Sequence, residues 1–111
     1  MASQVTLAPL SNREDYIESF NAFDENGDAI DLTGATIEFA VAEPNCSPVL
    51  SASTDDGKIV ISTTLATITI PQSEVDGVLP KNYNVGCTID LNGVVRQFFI
   101  GTMQIYDGVV P

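Results

Sequence analysis

The run Asn82-Tyr83-Asn84-Val85-Gly86-Cys87-Thr88-Ile89-Asp90-Leu91 alternates without a break, and Asn92-Gly93 follows it directly. Successive side chains of a strand point to opposite faces. Tyr83, Val85, Cys87, Ile89 and Leu91 therefore share one face, and Asn82, Asn84, Gly86, Thr88 and Asp90 the other. One apolar and one polar face is the pattern of an antiparallel strand with one side in water. Asn-Gly is the strongest short hairpin signal, because both residues tolerate positive φ. A two-residue turn there pairs Leu91 with Val94, Ile89 with Arg96, Cys87 with Phe98 and Val85 with Ile100. It also sets Phe99 opposite Gly86 on the outer face, where a ring can cover a bare glycine. Arg96 is expected near the sheet margin, stem packed and head in water. Gly101 reads as a bulge, after which Met103 and Ile105 resume the alternation.

Working outward, the same period of two recurs. Thr36 to Val41 sets Ile37, Phe39 and Val41 against Thr36, Glu38 and Ala40. Ile59 and Ile61 form a short strand after the Asp55-Asp56-Gly57 turn, and Ala66, Ile68 and Ile70 alternate with Thr67 and Thr69. Tyr16 to Phe23 and Ala29 to Leu32 read as a second hairpin around Asn26-Gly27. Pro44 to Pro48 reads as a loop, and Pro71 to Pro80 as the one place for a helical turn. Met1 to Asn12 is either a strand through Val5 and Leu7 or an arm. Roughly seven to nine short strands with turn signals between them give an all-β fold: a small antiparallel β-sandwich, immunoglobulin-like or jelly-roll-like. Residues 1–15 are the N-terminal strand or arm, and residues 16–111 the single sandwich domain.

Composition narrows the function. The chain has 111 residues, enough for one domain with one modest core. Four Lys and Arg oppose fifteen Asp and Glu, for a net charge of −11. That exceeds the magnitude of about 2–8 usual for a small soluble domain. Nucleic acid is not an expected partner, since no basic stripe exists to displace counterions from phosphates. Anionic membrane surfaces are disfavoured likewise. No stretch approaches the roughly 20 apolar residues of a membrane-spanning helix. The first residues carry Arg13, Glu14 and Asp15 and show no secretory signal. Acidity favours solubility at high concentration, or docking to a basic partner.

Reactive chemistry is sparse. There is no His, which removes the usual general base, the usual metal ligand and every Ser-His or Cys-His arrangement. Lys58 and Lys81 leave a Ser-Lys dyad possible without a motif behind it. No phosphate-binding glycine loop occurs. Paired carboxylates could in principle serve a glycosidase, but fifteen acids supply pairs by chance, and a sugar cleft is hard to build in so small a sandwich. Asp24-Glu25-Asn26-Gly27-Asp28 resembles the opening of a calcium loop, yet Ala29 replaces the glycine and Ala35 the closing glutamate. A polar turn explains it better, as it does Asp55-Asp56-Gly57. Cys87 is expected as a reduced, buried thiol acting as a small hydrophobe. Cys46 and Cys87 could be bridged only if their Cα atoms came within about 7 Å. Thr63, Thr64, Thr67 and Thr69 suit a strand surface and equally a protein interface. No catalytic, cofactor-binding or metal-ligating residue is assigned, and no cofactor.

The segment order carries a resemblance. The run from Phe20 through Asp24-Glu25-Asn26-Gly27-Asp28 and Asp31-Leu32-Thr33-Gly34-Ala35-Thr36-Ile37 to Phe39 resembles the opening of small β-sandwich modules in tailed-phage virions. Ile68-Thr69-Ile70-Pro71 and Leu79-Pro80-Lys81-Asn82-Tyr83 resemble their next strand, short turn and Leu-Pro-x-x-Tyr strand. The hairpin at Asn92-Gly93 and Gly101-Thr102-Met103-Gln104-Ile105 resemble their last two strands. The N-terminal module of phage baseplate upper proteins is the nearest comparison, beside small head-fibre and tail-accessory proteins. The likeness spans roughly residues 16 to 106 and rests on structural motifs. Two features depart from it: Asn82 stands where a glycine usually precedes the Tyr, and no long helix or receptor-binding region follows before Pro111. The resemblance implies a non-enzymatic virion component, made in the host cytoplasm: a fibre, decoration, adaptor or tail/baseplate subunit. Its implied partners are other virion proteins and further copies of itself, a trimer among the options, through sheet edges that invite pairing. The competing reading is an immunoglobulin-like or carbohydrate-binding module of a bacterial surface protein. Sugar modules stack their ligand on exposed aromatics, and Tyr16, Tyr83 and Tyr106 are the candidates.

Overall fold

A computed structural model describes residues 3–7, 9–23 and 26–107. They form a small β-sandwich of nine strands and one helical turn. The strands are β1 Ser3–Thr6, β2 Leu10–Ser11, β3 Tyr16–Asn21, β4 Thr36–Ala42, β5 Pro48–Ser53, β6 Ile59–Ser62, β7 Leu65–Ile70, β8 Lys81–Leu91 and β9 Val94–Tyr106. The helical turn α1, Gln72–Val75, falls inside the Pro71–Pro80 stretch expected to hold one. The large sheet runs β1-β9-β8-β4-β5, with β2 continuing beside β9, and the small sheet runs β3-β7-β6.

The inward rows of β8 and β4 are the ones the alternation picks out. Ile37, Phe39 and Val41 meet Tyr83, Val85, Cys87 and Ile89, all buried. Across the sandwich lie Ile59, Ala66, Ile68 and Ile70 of the small sheet. Tyr16 stacks on Phe39 with centroids 5.6 Å apart, and Phe20 packs on Phe98 and Phe99 at 5.0 and 5.7 Å. These rings tie β3 to both β4 and β9. Offset and edge-on ring pairs of this kind contribute about 0.5–1.5 kcal/mol beyond the area they bury.

Several expectations are corrected. Asn92 and Gly93 do sit at φ 57° and 82°, and Leu91–Val94 and Ile89–Arg96 pair as expected. Between Cys87 and Thr88 the register then shifts, so Cys87 faces Phe99, Gly86 faces Ile100 and Val85 faces Gly101. Phe98 is the extra residue. The bulge sits there and not at Gly101, because it turns both Phe98 and Phe99 toward Phe20. Gly86 is covered by the Gln97 amide instead of the Phe99 ring.

The Tyr16–Phe23 and Ala29–Leu32 hairpin is reduced to a single bridge, Phe23 to Ala29. β3 pairs with the distant β7 instead. Leu32 leaves the strand course to plug the core, and its N–H donates to the Thr63 carbonyl at 2.7 Å. Pro48 ends the expected loop but begins β5, whose inward residues are Leu50 and Ala52. The N-terminal segment pairs with β9 in parallel, whereas every other named strand pairing is antiparallel.

The sheet edges at β3, β5 and β6 are blunted. β6 is only four residues long. β3 carries Glu18 on its inward row, opposite Ile68. β5 opens with Pro48, which has no N–H, and its Ser53 N–H donates to Asp56 Oδ1 at 3.1 Å. Short edges, inward charges and proline are the usual guards against edge-to-edge pairing.

Candidate interaction surface

The residues first considered for chemistry scatter. The Lys58 ammonium lies 2.5 Å from Glu74 Oε1, and the Lys81 ammonium 2.6 Å from Glu43 Oε1. Each hydrogen bond holds its lysine above the ordinary range, so both stay charged and neither is poised as a base. Arg13 pairs with Asp76 at 3.3 Å. Cys46 and Cys87 are free thiols, the first exposed in the β4–β5 turn and the second buried. Burial pushes the Cys87 thiol up to about 12, which marks an inert core sulfur.

Tyr16 and Tyr83 are in the core, and only Tyr106 of the three tyrosines is exposed. The Tyr83 hydroxyl donates to the Leu79 carbonyl at 2.6 Å. The Tyr16 hydroxyl has no partner among the described residues, and burial, with Glu18 adding, raises its pKa far above the ordinary phenol value. Asp24 and Glu25 lie outside the described residues. Asp56 accepts the Ser53 and Lys58 N–H groups, closing the Asp55-Asp56-Gly57 turn as expected of a turn residue. No group of three or more Asp, Glu, Cys or His side chains that could hold a metal occurs among the described residues. Nor is any described helix long and apolar enough to cross a membrane.

What the fold does assemble is a depression of about 500 Å³ on the outer face of the large sheet. Strand register builds it as two rows. One runs Ile100, Gly86, Ala40, Ser51 across β9, β8, β4 and β5; the next runs Gln97, Thr88, Glu38, Ser53. The first row is low because a hydrogen, a methyl and a hydroxymethyl sit side by side on three strands. The second row stands higher and forms a wall.

The bulge shapes this wall. It places the Gln97 amide so that its Nε2 donates to the carbonyls of Cys87 and Phe99, at 3.1 and 2.9 Å. The alternation identifies Gly86, Thr88, Glu38 and Ala40 as outward-facing but sets Ile100 opposite the inward Val85, and it gives no hint of a hollow. That depends on the register shift and on β5, of which only Pro48 is read from the sequence, as the end of a loop.

The outer face of the small sheet is different. Ile17, Val60 and Thr69 are exposed there, and Ser19 and Thr67 share a hydroxyl hydrogen bond of 3.0 Å. The outward positions of β3, β6 and β7 carry no charged residue.

No protein-family model matches the chain, and no curated protein does. Among solved structures, a family 123 glycoside hydrolase from Clostridium perfringens, described for its hydrolysis of glycolipid glycans, is similar at 14% identity and a TM-score of 0.33. The match covers 98% of this chain and 24% of that one, so this chain spans about a quarter of the hydrolase's length.

Proposed function

We propose that this protein is a non-enzymatic structural component of a bacteriophage virion, a fibre, decoration, adaptor or tail/baseplate subunit that acts by protein–protein assembly. The observation that carries the reading is the distribution of reactive groups. Both lysines and Arg13 are tied in ion pairs, the buried thiol is inert, and the hollow on the large sheet is floored by Gly86, Ala40 and Ser51. Such a surface can bind by shape and charge; it offers nothing to activate a nucleophile. The resemblance of residues 16 to 106 to virion sandwich modules supports the same reading. The guards on β3, β5 and β6 direct association, with other virion proteins or further copies, toward the sheet faces.

A carbohydrate-binding module would present aromatic platforms, and burial of Tyr16 and Tyr83 leaves it little to stack on. The test is location. An antibody to this protein is applied to gradient-purified particles released by the strain that carries its gene. Regular decoration of the particles in electron micrographs is expected. Complete absence of the protein from purified particles, with abundant soluble protein in the lysate, overturns the proposal.

A further inference from the structure

Gly86 lies in the middle of β8, paired with Ala40 on one side and Ile100 on the other. Glycine within a strand costs about 0.5–1 kcal/mol relative to alanine. Its backbone has no positive φ, and an added methyl group would meet only the Gln97 amide, at an ordinary 3.5 Å. An alanine would therefore fit here without a steric clash. Glycine in a strand interior often marks a bulge or a place where a ligand or another backbone approaches closely; this one lies beside the bulge at Phe98 and in the floor of the hollow.

Charge identifies what approaches. On β4, β5, β8 and β9 the outward positions carry Glu38 and Asp90 and no Lys or Arg. Glu38 forms no ion pair among the described residues. Glu38 and Asp90 are diagonal neighbours on adjacent strands, since Glu38 faces Thr88. Such neighbours are about 7–8 Å apart, and alternate side chains of an extended chain are spaced about 7 Å. A second copy fits poorly: it brings a further −11, and three of its four cations are already paired.

We propose that the outer face of the large sheet is the docking site for an extended, basic segment of a different protein, lying across Gly86 with alternate Lys or Arg side chains at Glu38 and Asp90. This rests on the reading that the chain works by docking, and names the partner's chemistry.

The test uses isotope-labelled protein titrated with a short synthetic peptide of alternating Lys and Thr, with a Glu-Thr peptide as control. Amide shifts are expected at Glu38, Ala40, Ser51, Gly86, Thr88 and Gln97, with no response to the control. Gly86→Val and Glu38→Lys should each weaken the apparent affinity by roughly ten-fold or more. Gly86→Ala should keep or raise the thermal midpoint. Several results overturn the proposal: no shifts with the Lys-Thr peptide, shifts centred on the small sheet, equal response to the control, or affinity unchanged in both variants. So does a Gly86→Ala protein of lower midpoint, which would make the glycine structural. Concentration-dependent shifts at these residues without peptide would assign the face to a second copy. Absence of the protein from particles would end the virion role and leave this result standing, so the two failures are distinct.

Discussion

Thr63 turns the chain between β6 and β7 with φ 52°, in the left-handed region that a β-branched residue rarely enters. The turn joins strands paired in tight register, Ser62 to Leu65, and the Thr63 carbonyl receives the Leu32 N–H, so the surroundings hold it there. Such a conformation costs on the order of 1 kcal/mol or more. Thr63→Asn, which tolerates this region, should therefore stabilise the fold by about 1 kcal/mol, read as a higher urea midpoint; a lower midpoint would mean the threonine carries a compensating contact. Cys87 makes a pH prediction. Its thiol is raised by burial from 9.0 to about 12, so between those values the unfolded chain loses a proton that the folded chain keeps. Stability is then complete below pH 9 and falls as pH rises toward 12, by up to about 1.4 kcal/mol per pH unit from this group. Urea midpoints under reducing conditions at increasing pH should show that decline, and Cys87→Val should flatten part of it. The buried Tyr16 phenol acts in the same direction.

At the scale of elements, the closing of the N-terminal segment onto α1 is the least expected feature. Asn12 is 8% exposed; its N–H donates to the Tyr106 carbonyl, and its Nδ2 to the Val78 carbonyl. Gln72 Nε2 donates to the Asn12 carbonyl, and Asp15 Oδ1 accepts the Gln72 N–H at 2.7 Å. Three stretches remote in sequence are thus joined at one point. Asn12→Ala leaves the Val78 carbonyl without this donor and should cost about 1–3 kcal/mol, measured as a loss in unfolding free energy; an unchanged value would show that the clasp adds nothing net. Elements were legible where a strand is long and half-buried, as in β4, β7 and β8. β5 was not, because in Pro48-Val49-Leu50-Ser51-Ala52-Ser53 only Leu50 and Ala52 face the core, and alternating Ser and Ala imitate a loop. The bulge at Phe98 was not legible either, because local spacing cannot register the pull of Phe20 from another sheet.

The whole molecule carries −11 in a body whose Cα extents are 46 × 24 × 23 Å. At low ionic strength this self-repulsion opposes compactness, and at about 0.15 M salt the screening length falls to about 8 Å. The thermal midpoint should rise by a few degrees over that range; a fall would mean that surface ion pairs such as Lys58–Glu74 and Lys81–Glu43 outweigh the repulsion. Alternation in the sequence was sufficient to set the sheet faces, the inward row of β8 and the hairpin at Asn92-Gly93, since side-chain direction along a strand and turn geometry are local properties. Pairing of β3 with β7, the parallel N-terminal strands, the shifted register of β9 and the hollow over Gly86 were decided only in three dimensions. Each depends on which remote surfaces bury one another, and that competition is settled by packing across the sandwich, where neighbours in space are distant along the chain.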